Sequence, residues 1–177
     1  MSHLRPAAVI AALAALPLLS ACNASVSVGD STVLDHDKLT KEISTELDSR
    51  YSDVPLTVSN VECDDPGADP AVGTEFMCTA TVGEAKQRIK VTTQNDDLDV
   101  KWVATDKVFD MPHAAKVLAP SVAEQVRTNV TVDCGTGQKA LAPGSTFECA
   151  VSDSAGNQQT LVYTVAGMGQ EDGWKIG

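Results

Sequence analysis

The sequence predicts an α+β protein made of two tandem small domains. Each is expected to be an N-terminal helix packed on a three- to four-stranded antiparallel sheet with one internal disulfide. Three observations carry that expectation. First, the cysteines recur: Cys63 and Cys78 lie 15 residues apart, Cys134 and Cys149 lie 15 apart, and a shift of 71 relates the pairs. At that shift Val61 falls on Val132, Gly73 on Gly144 and Phe76 on Phe147, so V-x-C, nine residues, then G-x-x-F-x-C stands in both places. Second, an apolar residue at every fourth position precedes each pair, as on one face of an amphipathic helix. Third, apolar and polar residues alternate around and after each pair, as in half-buried strands.

Taken in order, Val33-Leu34-Asp35 matches Val108-Phe109-Asp110 at a shift of 75. The same shift lays Leu39, Ile43, Leu47 and Tyr51 on Ala114, Leu118, Val122 and Val126, the two helical stripes. Asp35 or Asp37 and Asp110 stand where N-caps are needed. Pro120 falls inside the second stripe, where a proline removes a hydrogen bond and clashes one turn back, so that helix is expected to kink or split. Phe76, Cys78, Ala80 and Val82 then alternate with polar residues, as do Phe147, Cys149 and Val151. Ile89, Val91 and Thr93 share one face of a further strand, and Leu98, Val100, Trp102 and Ala104 share another. A shift of 72 relates Ile89 to Leu161, Val91 to Tyr163 and Trp102 to Trp174. The extra residue falls between Gly83-Glu84-Ala85 and Ser154-Ala155-Gly156-Asn157, where a loop absorbs it. The expected copies are 34–104 and 105–177.

The N-terminus reads differently. Met1 to Arg5 is short and basic, and Pro6 to Leu19 is an uncharged run rich in Ala and Leu. Its length suits the apolar region of a secretory signal and falls short of the ~20 residues of a membrane-spanning helix. The run ends in Leu19-Ser20-Ala21-Cys22, which resembles the bacterial lipobox, where cleavage precedes the cysteine and its thiol carries a diacylglycerol. Residues 1–21 are thus read as a lipoprotein signal peptide, Cys22 as the lipidated residue, and 22–33 as lipid attachment and flexible tether. The expected location is the outer face of the cytoplasmic membrane.

Cleavage before Cys22 would leave 12 Lys and Arg against 24 Asp and Glu, a formal charge of −12. Such a surface repels phosphate backbones and anionic headgroups, which excludes nucleic acid as an expected partner and leaves the lipid as the membrane anchor. Seven aromatics in the whole chain offer few rings for stacking on bases or sugars.

With Cys22 assigned to the lipid, four cysteines remain for two bridges in an oxidising compartment. Three connectivities are possible, and the repeat selects Cys63–Cys78 with Cys134–Cys149. Each bridge would staple the first strand to the second beside Phe76 or Phe147. Domains of ~70 residues are marginal on apolar burial alone, which gives the staple a structural purpose. Redox chemistry would favour cysteines two residues apart near a helix start.

The order of lipobox, tether, helix, V-x-C…G-x-x-F-x-C and alternating strands is similar to domain-of-unknown-function family 4333, in two tandem copies. That family is common among actinobacterial secreted proteins and lipoproteins. The resemblance implies an envelope location and a small α+β module, with no catalytic residues to carry over. Family members often have Pro after the first cysteine, whereas Asp64 and Gly135 follow it here, and Pro120 in the second helix is a further departure.

Chemistry-bearing residues are sparse. His36 and His113 do not align between copies and read as solvated residues near helix starts. No G-x-S-x-G, S-x-x-K or H-E-x-x-H motif is present. Gly135-Thr136-Gly137-Gln138-Lys139 lacks the spacing of a phosphate loop and reads as a loop between cysteine-linked strands. Two acidic clusters could offer oxygens to Ca²⁺: Asp64, Asp65 and Asp69 in one loop, and Asp96, Asp97 and Asp99 beside Asn95 in a turn. Neither has D-x-D-x-D-G spacing, so solvated turns are the expected reading, without a metal or other cofactor.

The function expected from these residues is a lipid-anchored, extracytoplasmic binding or interaction module without catalysis. Its partner would be an envelope protein or polymer. The alternative is a carrier of lipid or another apolar ligand in a cavity between helix and sheet, beside small residues such as Ala80, Ala104 and Ala114.

Overall fold

The computed structural model describes residues 24–26 and 33–177. The signal segment and Cys22 lie outside the described residues. Two helix-and-sheet units follow one another, each with its own apolar core.

In the first half, helix α1 spans His36–Arg50. Asp35 is its N-cap, its carboxylate accepting the Lys38 N–H at 2.9 Å. Leu39, Ile43 and Leu47 form the buried stripe. Strands β2 (Val58–Cys63), β3 (Glu75–Val82), β4 (Ala85–Thr93) and β5 (Val100–Ala104) form an antiparallel meander. A fifth strand, β1 (Ala24–Val26), joins the outer edge of β5, giving the order β1-β5-β4-β3-β2. Part of the stretch expected to be a free tether is therefore hydrogen-bonded to the fold. The backbone ladder offered by β5 overrides what is locally a small, polar sequence.

The strand expected from Leu98 begins at Val100 instead. Leu98 adopts a left-handed conformation (φ 60°) in the β4–β5 turn, yet its side chain is buried in the first core. That core is filled by Leu39, Ile43, Leu47, Ile89, Val91 and Trp102, all 0–1 % exposed. Ala80 and Ala104, expected to leave room for a ligand, are themselves fully enclosed.

The second half begins with β6 (Lys107–Asp110) and α2 (Met111–Val126). Asp110 caps α2 as Asp35 caps α1, accepting the His113 N–H at 2.8 Å. The helix is not split at Pro120. It runs continuously, because Pro120 lies on the exposed face and the carbonyl deprived of its partner can be hydrated. Met111, Leu118 and Val122 are buried, while Ala114 and Val126 of the expected stripe are half-buried.

Strands β7 (Val130–Asp133), β9 (Thr146–Asp153), β10 (Gln158–Thr164) and β11 (Gly173–Ile176) form an antiparallel sheet in the order β11-β10-β9-β7. A separate two-stranded ribbon pairs β6 with β8 (Gln138–Leu141). The segment expected to be a loop after Cys134 thus contributes a strand.

The halves agree in small details. Gly73 N–H donates to the Thr93 carbonyl and Gly144 N–H to the Val165 carbonyl, with φ 85° at both glycines. Only a residue without Cβ takes that left-handed turn cheaply. The two hairpins differ by one residue. Gly83-Glu84 closes a two-residue hairpin, whereas Asp153 N–H reaches the Asn157 carbonyl across Ser154-Ala155-Gly156.

Candidate functional site

Both predicted disulfides are present. Cys63 sits opposite Cys78 across β2 and β3 with Cα atoms 3.9 Å apart, and Cys134–Cys149 repeats the arrangement at 4.0 Å. Cys78 and Cys149 are 1 % exposed, so each bridge is part of a core.

The acidic clusters do not converge on a cation position. Asp64, Asp65, Asp69, Asp96 and Asp97 are exposed. Asp65 accepts the Gly67 N–H at 2.8 Å and lies 3.8 Å from His36 Nε2. Asp99 receives Asn95 Nδ2 at 2.9 Å and returns its own N–H to Asn95 Oδ1 at 3.0 Å, closing the turn. Among the described residues no three His, Cys, Asp or Glu side chains gather to hold a metal ion. His36 and His113 are half-buried rather than fully solvated.

Two features emerge that the sequence reading did not contain. One is a polar joint between the halves. Asp106, 3 % exposed, takes Arg88 Nε at 2.8 Å, Arg88 Nη2 at 2.6 Å and the Arg88 N–H at 3.2 Å. Its backbone carbonyl accepts Gln87 Nε2, and Gln87 Oε1 accepts the Tyr51 hydroxyl at the end of α1. The Arg88 bonds hold the Asp106 carboxyl below the usual range, against the opposing effect of burial. Burial pushes the Tyr51 hydroxyl up to about 12, with the Gln87 bond opposing it.

Gln138 completes the joint. Its Oε1 accepts the Glu84 N–H and its Nε2 donates to the Asp110 carboxylate. A Cβ on Gly83 would stand 2.7 Å from Gln138 Oε1, the movable end of that side chain, and the left-handed φ of 57° is what calls for a glycine in the β3–β4 hairpin.

The other feature is a groove between α2 and β7, about 410 Å³ in volume. Pro112, Ala115, Lys116 and Ala119 line it from the helix, and Val130 to Asp133 from the strand. The residues at the same places in the first half are Asp37, Thr40, Lys41 and Ser44 on α1 and Ser59 to Glu62 on β2. One seam is polar but for Val61, and its counterpart is mainly apolar, with Lys116, Thr131 and Asp133 among its lining. Helix α2 also exposes Val117 at 58 %. No helix among the described residues is long and apolar enough to cross a membrane.

The fold defines a small disulfide-bonded α+β protein with an open groove in its second half. A family model described as a domain of unknown function, DUF4333, matches residues 17–97, from the end of the N-terminal apolar run into the β4–β5 turn. That first part of the chain is similar to the family, and the matched segment holds Cys63 and Cys78. No curated protein and no solved structure matches the chain.

Proposed function

We propose that the protein is a lipid-anchored binding module of the bacterial cell envelope, held at the outer face of the cytoplasmic membrane by a lipid on Cys22, without catalysis. On this reading 34–104 and 105–177 are two copies of one module whose surfaces have diverged. The observation that carries the proposal is the apolar seam between α2 and β7, set against its polar counterpart between α1 and β2. Apolar surface retained at a groove is a mark of interaction sites. The run Leu19-Ser20-Ala21-Cys22 and the two disulfides support placement outside the cytoplasm. A shallow groove open along a sheet edge suits a protein or polymer partner better than a carried lipid, which needs most of its surface enclosed.

Two experiments test the two parts. Cys22→Ser should move the protein from the membrane to the soluble or unprocessed fraction, and wild-type fractionation of that variant would refute the anchor. A photo-reactive residue in place of Ala119 should crosslink a partner in living cells, whereas one in place of Ser44 should not. Equal labelling from both positions would refute the groove as the binding face.

A further inference from the structure

An open sheet has two edges whose outer N–H and C=O groups have no strand partner, and proteins blunt such edges with charge, bulges or a covering segment. Of the four outer edges of the two larger sheets, three are blunted. Beside β5 the edge is β1, a strand of three residues, too short to extend far. The ladder of β2 is broken by an irregularity between Val58 and Asn60, and Ser59, Asn60 and Glu62 are exposed. The edge at β11 starts at Gly173 beside Asp172 and carries the exposed Lys175. Strand β7 carries one exposed charge, Asp133, where β2 has Glu62, but it has neither an irregular ladder nor, among the described residues, a covering strand. It keeps a regular register with β9, and no strand among the described residues pairs with its outer edge.

We infer that the outer edge of β7 and the adjoining face of α2 receive an extended peptide, which adds to the sheet as a fifth strand. The inference rests on the binding-module reading and specifies its ligand. Strand addition supplies main-chain hydrogen bonds, and pockets for alternate side chains supply selectivity. The groove provides both. Four residues of β7 span roughly 13 Å at ~3.3 Å per residue, room for a matching segment. Alternate side chains of that segment would lie over Ala115 and Ala119, whose small size admits Val or Ala.

A smaller depression of about 180 Å³, lined by Asn129 to Thr131 and Ser152 to Ser154, continues along the same strand. The charge is set as well. The chain carries a net −11, Asp133 lies at one end of β7, and Asp153 pairs with Val130 at the other. Lys116 is the basic side chain of the groove. Complementarity therefore selects a peptide bearing Lys or Arg at its ends and excludes an acidic one.

The test is an amide NMR titration of the full-length chain in detergent with the capped peptide Lys-Val-Thr-Val-Lys. Shifts and slowed exchange are expected at Val130 to Asp133, with Ser59 to Glu62 and Gly173 to Ile176 unmoved. N-methylation of the peptide's central residue, or replacement of its lysines by glutamates, should weaken binding by at least about tenfold. Thr131→Lys, at an exposed side chain, should do the same with the remaining spectrum unchanged. No response of β7 at about 1 mM peptide, a response elsewhere, or indifference to N-methylation would overturn strand addition. If the peptide fails while the residue at position 119 still crosslinks a partner in cells, the ligand class is wrong and the binding reading stands. If both fail, both are wrong.

Discussion

The two halves share a framework and differ in what they show to solvent. Helix α1 carries charge along its outer face, from Asp37 and Lys38 through Lys41, Glu42 and Glu46 to Asp48. Helix α2 offers Pro112, Val117 and Pro120 in comparable exposed positions. The first sheet has a strand on one edge and an irregular ladder on the other, whereas the second leaves β7 regular and open. The framework elements are the common part: a capping aspartate, a cysteine pair, a left-handed glycine, alternating strands. The difference teaches that the buried framework and the surface it presents are separable here. The core fixes the framework, and the seam between helix and edge strand is free to become polar or apolar.

The largest expected effect breaks the comparison at its two tryptophans. Trp102 is fully buried with the Arg50 guanidinium 4.7 Å from its ring centre, while Trp174 is half-buried at the outer strand β11. Trp102→Ala should cost about 4 kcal/mol in urea unfolding. Trp174→Ala should cost about 1–2 kcal/mol. Equal losses would show that the halves do not have the separate cores described.

Disulfide removal comes next. Cys63→Ser with Cys78→Ser should cost about 3 kcal/mol. The corresponding change at Cys134 and Cys149 should cost less, because the β6–β8 ladder still ties down the enclosed segment. In the first half the Leu34 N–H bonds to the Ala68 carbonyl at that place, without a strand ladder among the described residues.

The joint gives a smaller effect with a pH signature. Asp106→Asn should cost about 1–2 kcal/mol through weakened hydrogen bonds to Arg88. The folded-state pKa of Asp106 lies below its unfolded value, so its contribution is present above the unfolded pKa of ~3.9 and is lost as pH falls through the folded value. Urea midpoints measured from pH 5 downward should therefore fall less steeply in the variant. An unchanged acid slope would remove Asp106 as a contributor.

The smallest effect compares the helices through Pro120 and its counterpart Thr45. Pro120→Ala should stabilise by restoring the bond to the Lys116 carbonyl, by less than the ~3 kcal/mol of an interior proline because the freed unfolded chain gains entropy and the exposed carbonyl is already hydrated. Thr45→Pro in α1 is the reciprocal control and should destabilise. Opposite signs in thermal unfolding are expected.

The periodic elements were legible before the fold was known, because their causes are local. Stripes at every fourth residue, an aspartate before each stripe and alternation around paired cysteines need no knowledge of the partner strand. What escaped was decided at a distance. Ala24–Val26 became a strand because β5 offered an edge, and Gln138–Leu141 because β6 lay beside it. The burial of Asp106 follows from Arg88, 18 residues away. Met111 enters the core at the place where the first half has His36, which a stripe counted from Ala114 could not reveal. The groove was hidden for a related reason. It arises from the pairing of two segments, and neither Ala115-Ala119 nor Val130-Val132 looks unusual alone.

Strand β1 has a mechanical consequence when taken with the proposed lipid on Cys22. Between the acyl anchor and Ala24 the sequence has one residue, Asn23. Any tug between bilayer and protein would reach the pairs Ala24–Trp102, Ser25–Lys101 and Val26–Val100 before it reached α1. If that short zipper held, only a leash of Cys22 and Asn23 would separate the fold from the proposed anchor. Once it peels, residues 24–33 lengthen the leash by roughly 30 Å at ~3.3 Å each. Three residue pairs would then set how far from the bilayer the protein can reach.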